Sequence, residues 1–102
     1  MITTHVLDTS RGKPAAGMAV TLERSMPNGT WSQIGRGTTD NDGRLRTLTA
    51  GDVEKGTYRL TFETGTAFYP QVVILFNVAD GAQHYHVPLL LSPWGYTTYR
   101  GS

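Results

Sequence analysis

Alternation with a period of two runs through the patterned parts of the chain. In TYRLTFET, Tyr58, Leu60 and Phe62 fall on one side while Arg59, Thr61 and Glu63 fall on the other, the pattern of a strand with one buried face. GMAVTLER sets Met18, Val20 and Leu22 against Ala19, Thr21 and Glu23 in the same way. QVVILFNV is apolar at both sets of positions and rich in β-branched residues, which predicts a strand covered on both faces, one of them by a subunit contact. THVLDT and HYHVPLLLS predict two more strands. Between these runs stand the turn signals SRGKPAAG, PNG, DNDG, AGDVEKG, ADGAQ and SPWG. DNDGR predicts a tight connection in which Gly43 takes a positive φ before a short strand, RLRTL. Seven or eight short strands at spacings of about 8 to 14 residues predict an all-β sandwich or barrel, and no stretch patterns as a helix. Internal repeats, low-complexity tracts and linkers are absent, so residues 1–102 read as one domain.

Composition narrows the possible partners. With 38% hydrophobic and 17% charged residues over 102 positions, the chain is globular, and no apolar run approaches the roughly 18 residues of a membrane span. MITTHVLDTS has neither a basic start nor a long apolar stretch, so no secretory signal and a cytoplasmic location are expected. The absence of cysteine excludes disulfides, thiolate nucleophiles and cysteine zinc sites. Nine Lys and Arg against eight Asp and Glu leave a formal charge of +1 with no basic stripe. Nucleic acid is therefore not an expected partner, and a small neutral or anionic molecule is.

The candidate chemistry rests on few residues. His84 and His86 share one face of a strand, a spacing as compatible with a solvated and packed pair as with a functional one, and one that also suits metal ligation by one strand. No third ligand stands nearby, so no metal is expected. His5 lies inside the first strand, with Leu7 on its own face, and Arg44 directly follows the turn glycine. A G-x-S-x-G elbow is absent, GRGTTDNDGR lacks the lysine of a phosphate loop, and NGT at Asn28 reads as a turn. Histidine, arginine and the terminal run Tyr99, Arg100, Gly101 and Ser102 remain.

Two long segments resemble a known family. HVLDTSRGKPAAGMAV, His5 to Val20, resembles the N-terminal signature of the transthyretin family, and YHVPLLLSPWGYTTY, Tyr85 to Tyr99, resembles its C-terminal one. YRGS resembles the tetrapeptide that separates the enzyme branch, which hydrolyses 5-hydroxyisourate, from the hormone carriers. With the DGR turn and FYP at Phe68 to Pro70, the resemblance covers essentially the whole chain.

It implies a transthyretin-like β-sandwich and hydrolysis of 5-hydroxyisourate to 2-oxo-4-hydroxy-4-carboxy-5-ureidoimidazoline in urate catabolism, without a cofactor. The catalytic residues it implies are His5, Arg44, His86 and Ser102, with Tyr99, Arg100 and Gly101 joining His5 and Arg44 around the substrate. His5 and His86 would form an acid and base pair, the direction of proton transfer being open, while Arg44 orients and polarises the substrate. Ser102 would hold water or a histidine, and its terminal carboxylate could orient an imidazole. His84 ranks below these as a support for His86 or a substrate contact. Carriers have lysine at the position of His5, so His5 favours the enzyme. The family assembles as a homotetramer, a dimer of dimers with sites where the dimers meet. Its members usually carry a short helix between the fifth and sixth strands, for which FETGTAFYPQ leaves little room, so that helix is expected to be shortened or absent. The alternatives are a non-catalytic carrier of small aromatic ligands and a structural β-sandwich used for protein contacts.

Overall fold

Burial follows the alternation closely and sorts the strands into two layers. A computed structural model describes every residue from Met1 to Ser102 and contains nine strands and no helix. In chain order they are β1 (Ile2–Asp8), β2 (Lys13–Pro14), β3 (Ala19–Ser25), β4 (Trp31–Thr38), β5 (Arg44–Leu45), β6 (Gly56–Phe62), β7 (Val72–Val78), β8 (Tyr85–Ser92) and β9 (Gly95–Thr98). One sheet has the order β4-β3-β6-β7, antiparallel throughout. The other runs β2-β1-β8-β9, with β5 also paired to the β2 side of β1. Tyr58, Leu60 and Phe62 of β6 and Val20 and Leu22 of β3 turn inward, meeting Ile2 and Val6 of β1 and Leu89 of β8 in one core of sixteen apolar side chains. Complete burial of each such side chain contributes roughly 1.5–3 kcal/mol.

Two short strands and one long one depart from the sequence reading. β2 lies inside the SRGKPAAG turn signal, and the short strand after Gly43 extends only over Arg44–Leu45. β4 was not marked by alternation, because it is an edge strand polar on both faces, with Gln33, Gly35, Arg36 and Gly37 in its middle. Along β7 the core takes Val72, Ile74 and Val78, whereas Val73 and Leu75 stand exposed on the other face of this single chain. Between β6 and β7 the chain passes without a helix, in a loop where the Thr64 and Thr66 hydroxyls donate to the Tyr69 carbonyl.

The DNDG turn takes the expected form. Gly43 has φ 75°, and its carbonyl accepts from the Val6 amide at 2.8 Å, docking the turn on β1. The Asp40 carboxylate accepts from the amides of Asp42 and Arg44, both at 2.9 Å. This Asx-type closure sets the position at which Arg44 enters β5.

Candidate active site

The site is built by the pairing of the first long strand with the last one. β1 and β8 run parallel, with Ile2 opposite Tyr85, Thr3 opposite His86, Thr4 opposite Val87 and His5 opposite Pro88. Ile2, Thr4, Val6, Tyr85 and Val87 are buried on the core side, so strand alternation puts Thr3, His5 and His86 on the outer face. β5 brings Arg44 beside His5 through its own antiparallel register.

His86 is held from three sides. Its Nδ1 lies 2.8 Å from the Thr3 hydroxyl oxygen, which also lies 2.7 Å from His84 Nε2. Its carbonyl accepts from the Gly101 amide at 2.8 Å, bridging the tail to β8. The ring rests on the Gly101 backbone so closely that a Cβ there would come within 2.6 Å of His86 Cδ2, which makes glycine the residue that fits. Ser102 then reaches a cleft of about 240 Å³, lined also by Thr3, Arg44, Arg46, His84 and His86.

Burial holds His86 below its ordinary imidazole value of 6.5, and the neighbouring charges of His84, Arg44, His5 and Arg46 add to that effect. Each cation disfavours a further positive charge. His86 is thereby kept neutral near pH 7, with Nε2 free of any protein hydrogen bond. No three His, Cys, Asp or Glu side chains gather as a metal-binding group.

The terminal run divides. Gly101 and Ser102 meet the histidines, whereas Arg100 turns to the other face, where its guanidinium lies 4.3 Å over the Tyr85 ring and its Nη2 donates to Gln83 Oε1 at 2.9 Å. Tyr99 and Arg100 border a separate cavity of about 370 Å³ with Ile74, Phe76, Tyr85 and Val87. His5 stands beside Arg44 without lining the cleft itself, though its charge is felt at His86. A further cavity of about 730 Å³ is bordered by β4, β6 and the 46–54 segment and shares only Arg46 with the histidine cleft. Thr3 and Arg46 were not singled out in the sequence, although period two could have found them: each lies two positions from a candidate, His5 or Arg44.

A family model described as HIUase/Transthyretin family matches residues 2–101. The chain belongs to the HIUase/transthyretin family. Among relatives in this family, a 5-hydroxyisourate hydrolase of Salmonella typhimurium is 42% identical over 111 residues, covering 100% of this chain and 81% of the relative. A 5-hydroxyisourate hydrolase of Mus musculus is 44% identical over 111 residues, covering 99% of this chain and 94% of the relative. Among solved structures, Klebsiella pneumoniae 5-hydroxyisourate hydrolase superposes with TM-score 0.86 at 34% identity, covering 99% and 97% of the two chains. Sea bream transthyretin in complex with thyroxine superposes with TM-score 0.90 at 32% identity, covering 98% and 93%. The HIUase/transthyretin fold thus accommodates both a hydrolase and a thyroxine binder, and the backbone does not separate them.

Proposed function

We propose that this protein is a 5-hydroxyisourate hydrolase of urate catabolism, a single domain spanning residues 1–102 that opens the ring to 2-oxo-4-hydroxy-4-carboxy-5-ureidoimidazoline. The observation that carries this reading is identity of 42–44% to relatives named for that activity, over essentially the whole chain. The cleft supplies chemistry to match. Water must lose a proton as it adds to a ring carbonyl, the oxyanion must be stabilised, and the departing nitrogen must gain a proton. His86, neutral and with Nε2 open, takes the proton from water. Arg44 cannot lose its own proton and serves as the fixed cation that orients the substrate and polarises its carbonyl. His5, beside Arg44 at the edge of the cleft, contacts the substrate there, and Ser102 hydrogen-bonds water or substrate at the cleft.

Tyr99, Arg100 and Gly101 act on the substrate through the tail. Anchorage of Arg100 on Tyr85 and Gln83 supports the placing of Gly101 against His86 and of Ser102 in the cleft. The assembly we propose is a homotetramer, a dimer of dimers whose sites lie where the dimers meet, and the exposed Val73 and Leu75 of β7 support further burial between chains. The cytoplasm is the proposed compartment, because a cysteine-free chain draws no stability from an oxidising one.

The test is a UV absorbance time course of 5-hydroxyisourate generated in place by a uricase. Accelerated decay is expected, with kcat/KM lower by about 100-fold or more in His86→Ala and in Arg44→Ala. Decay at the spontaneous rate in the presence of the folded protein would leave the carrier of small aromatic ligands as the better reading.

A further inference from the structure

We propose that Thr3 joins His86 to His84 in a proton relay, so that His86 acts first as base and then as acid while His84 stores the proton between the two steps. The proposal rests on the hydrolase reading and assigns to Thr3 and His84 a role in that reaction.

The geometry is a three-member chain. Thr3 is 4% exposed, and its hydroxyl oxygen lies within hydrogen-bond distance of His84 Nε2 at 2.7 Å and of His86 Nδ1 at 2.8 Å. A hydroxyl has one proton, so it donates to one imidazole and accepts from the other. The two ring tautomers are therefore linked: when His86 carries its proton on Nδ1, the Thr3 hydroxyl donates to His84 Nε2, and His86 Nε2 presents a lone pair to the cleft. The opposite arrangement gives His86 an Nε2–H. The ring centroids stand 6.2 Å apart, so the hydroxyl is the bridge between them.

The surroundings set the direction in which charge moves. His86 is half-buried, and His5 from β1, Arg44 from β5, Arg46 beyond it and His84 before β8 all disfavour a positive charge on its ring. His84 is exposed to water, which solvates an imidazolium. Charge generated at His86 is thus moved outward.

In the first step a water O–H bond breaks, its oxygen bonds the ring carbonyl carbon, and its proton goes to His86 Nε2. The Nδ1 proton of His86 passes to Thr3 Oγ1, and the Thr3 hydroxyl proton passes to His84 Nε2. The products are an oxyanion on the substrate, a neutral His86 bearing Nε2–H, and an imidazolium at His84. In the second step the oxyanion reforms its carbonyl, the carbon to nitrogen bond breaks, and the nitrogen takes the Nε2 proton. Thr3 returns a proton to Nδ1 and is refilled from His84, restoring all three groups. One proton has moved from water to the leaving nitrogen, and the new carboxylic acid loses its own proton to solvent.

Thr3→Val removes the hydroxyl at nearly constant volume, and Thr3→Ser keeps it. With 5-hydroxyisourate, Thr3→Val is expected to lower kcat by about 100-fold with KM within about 2-fold of wild type, while Thr3→Ser stays within about 3-fold of wild-type kcat. Rates in mixtures of H₂O and D₂O should depend on isotopic fraction with curvature in wild type, as several protons move together, and linearly in Thr3→Val. Independently of turnover, nitrogen-15 NMR of the substrate-free protein should find the His86 proton on Nδ1 in wild type and Thr3→Ser. Wild-type turnover in Thr3→Val, equal loss in Thr3→Ser, or a His86 proton resident on Nε2 in wild type would each overturn the relay. A folded wild-type chain without turnover would overturn the hydrolase reading instead, which separates the two failures.

Discussion

At the scale of single residues, the His86 environment gives stability a definite pH dependence and, with His86 as the proposed base, gives activity one as well. Burial first, and then the charges of His84, Arg44, His5 and Arg46, keep its proton affinity below the ordinary value of 6.5. As pH falls through 6.5, the unfolded chain binds a proton at this position that the folded chain refuses, so stability decreases until the lower folded value is passed. Above 6.5 both states are neutral there and the contribution is constant. Denaturant midpoints measured from above pH 6.5 down to about 5 should therefore fall more in wild type than in His86→Gln, in which this titration is absent. Equal slopes would contradict the depressed affinity. The acid limb of kcat/KM, which reports the base in the free enzyme, should likewise lie below 6.5.

At the scale of elements, a two-residue strand carries the guanidinium assigned to the substrate in the proposed reaction. β5 is too short to be stable by itself, and the turn before it supplies the constraint: Asp40 accepts from Asp42 and Arg44, and Gly43 accepts from Val6. The Arg44 amide is the chief reason that the Asp40 carboxyl lies below its ordinary range, with desolvation opposing it. Asp40→Ala should lower kcat/KM by about 10-fold through misplacement of Arg44. Asp40→Asn, which retains an acceptor oxygen, should recover most of it. Steady-state kinetics beside circular dichroism would check this, and equal activity in both variants would show that β1 pairing alone places Arg44. β4 teaches the complementary lesson: an edge strand with polar residues and glycines on both faces leaves no period to read, and only its pairing with β3 defines it.

For the whole molecule, the decisive feature is apolar surface left outside a complete core. Val73 is 50% and Leu75 63% exposed on β7, an edge strand, while the core on its other face is closed. An exposed apolar edge favours association with another chain. Sedimentation at micromolar concentration is expected to give the mass of four chains, and Leu75→Lys to shift the population toward smaller species. A wild-type monomer under those conditions would contradict the proposed tetramer. Closely similar backbones in a hydrolase and in a thyroxine-bound transthyretin place the difference between catalysis and carriage in side chains rather than in architecture.

The alternation of Tyr58, Leu60 and Phe62, of Val20 and Leu22, and of His86 against Tyr85 and Val87 was sufficient to identify strands and their inward faces, because side-chain direction in a strand is a local property of the backbone. The turn at Gly43 was legible for the same reason, since positive φ is a local demand. His5, Arg44, His86 and the tail could be named from the chain and its family resemblance. Their arrangement could not. Only the folded chain puts Thr3 against two histidines more than eighty positions away and turns Arg100 onto Tyr85 while Gly101 supports His86. It also leaves His5 beside the cleft and not in it. Strand partners are selected by competition for burial among distant segments, and a period of two states which way a side chain points without stating what it will meet.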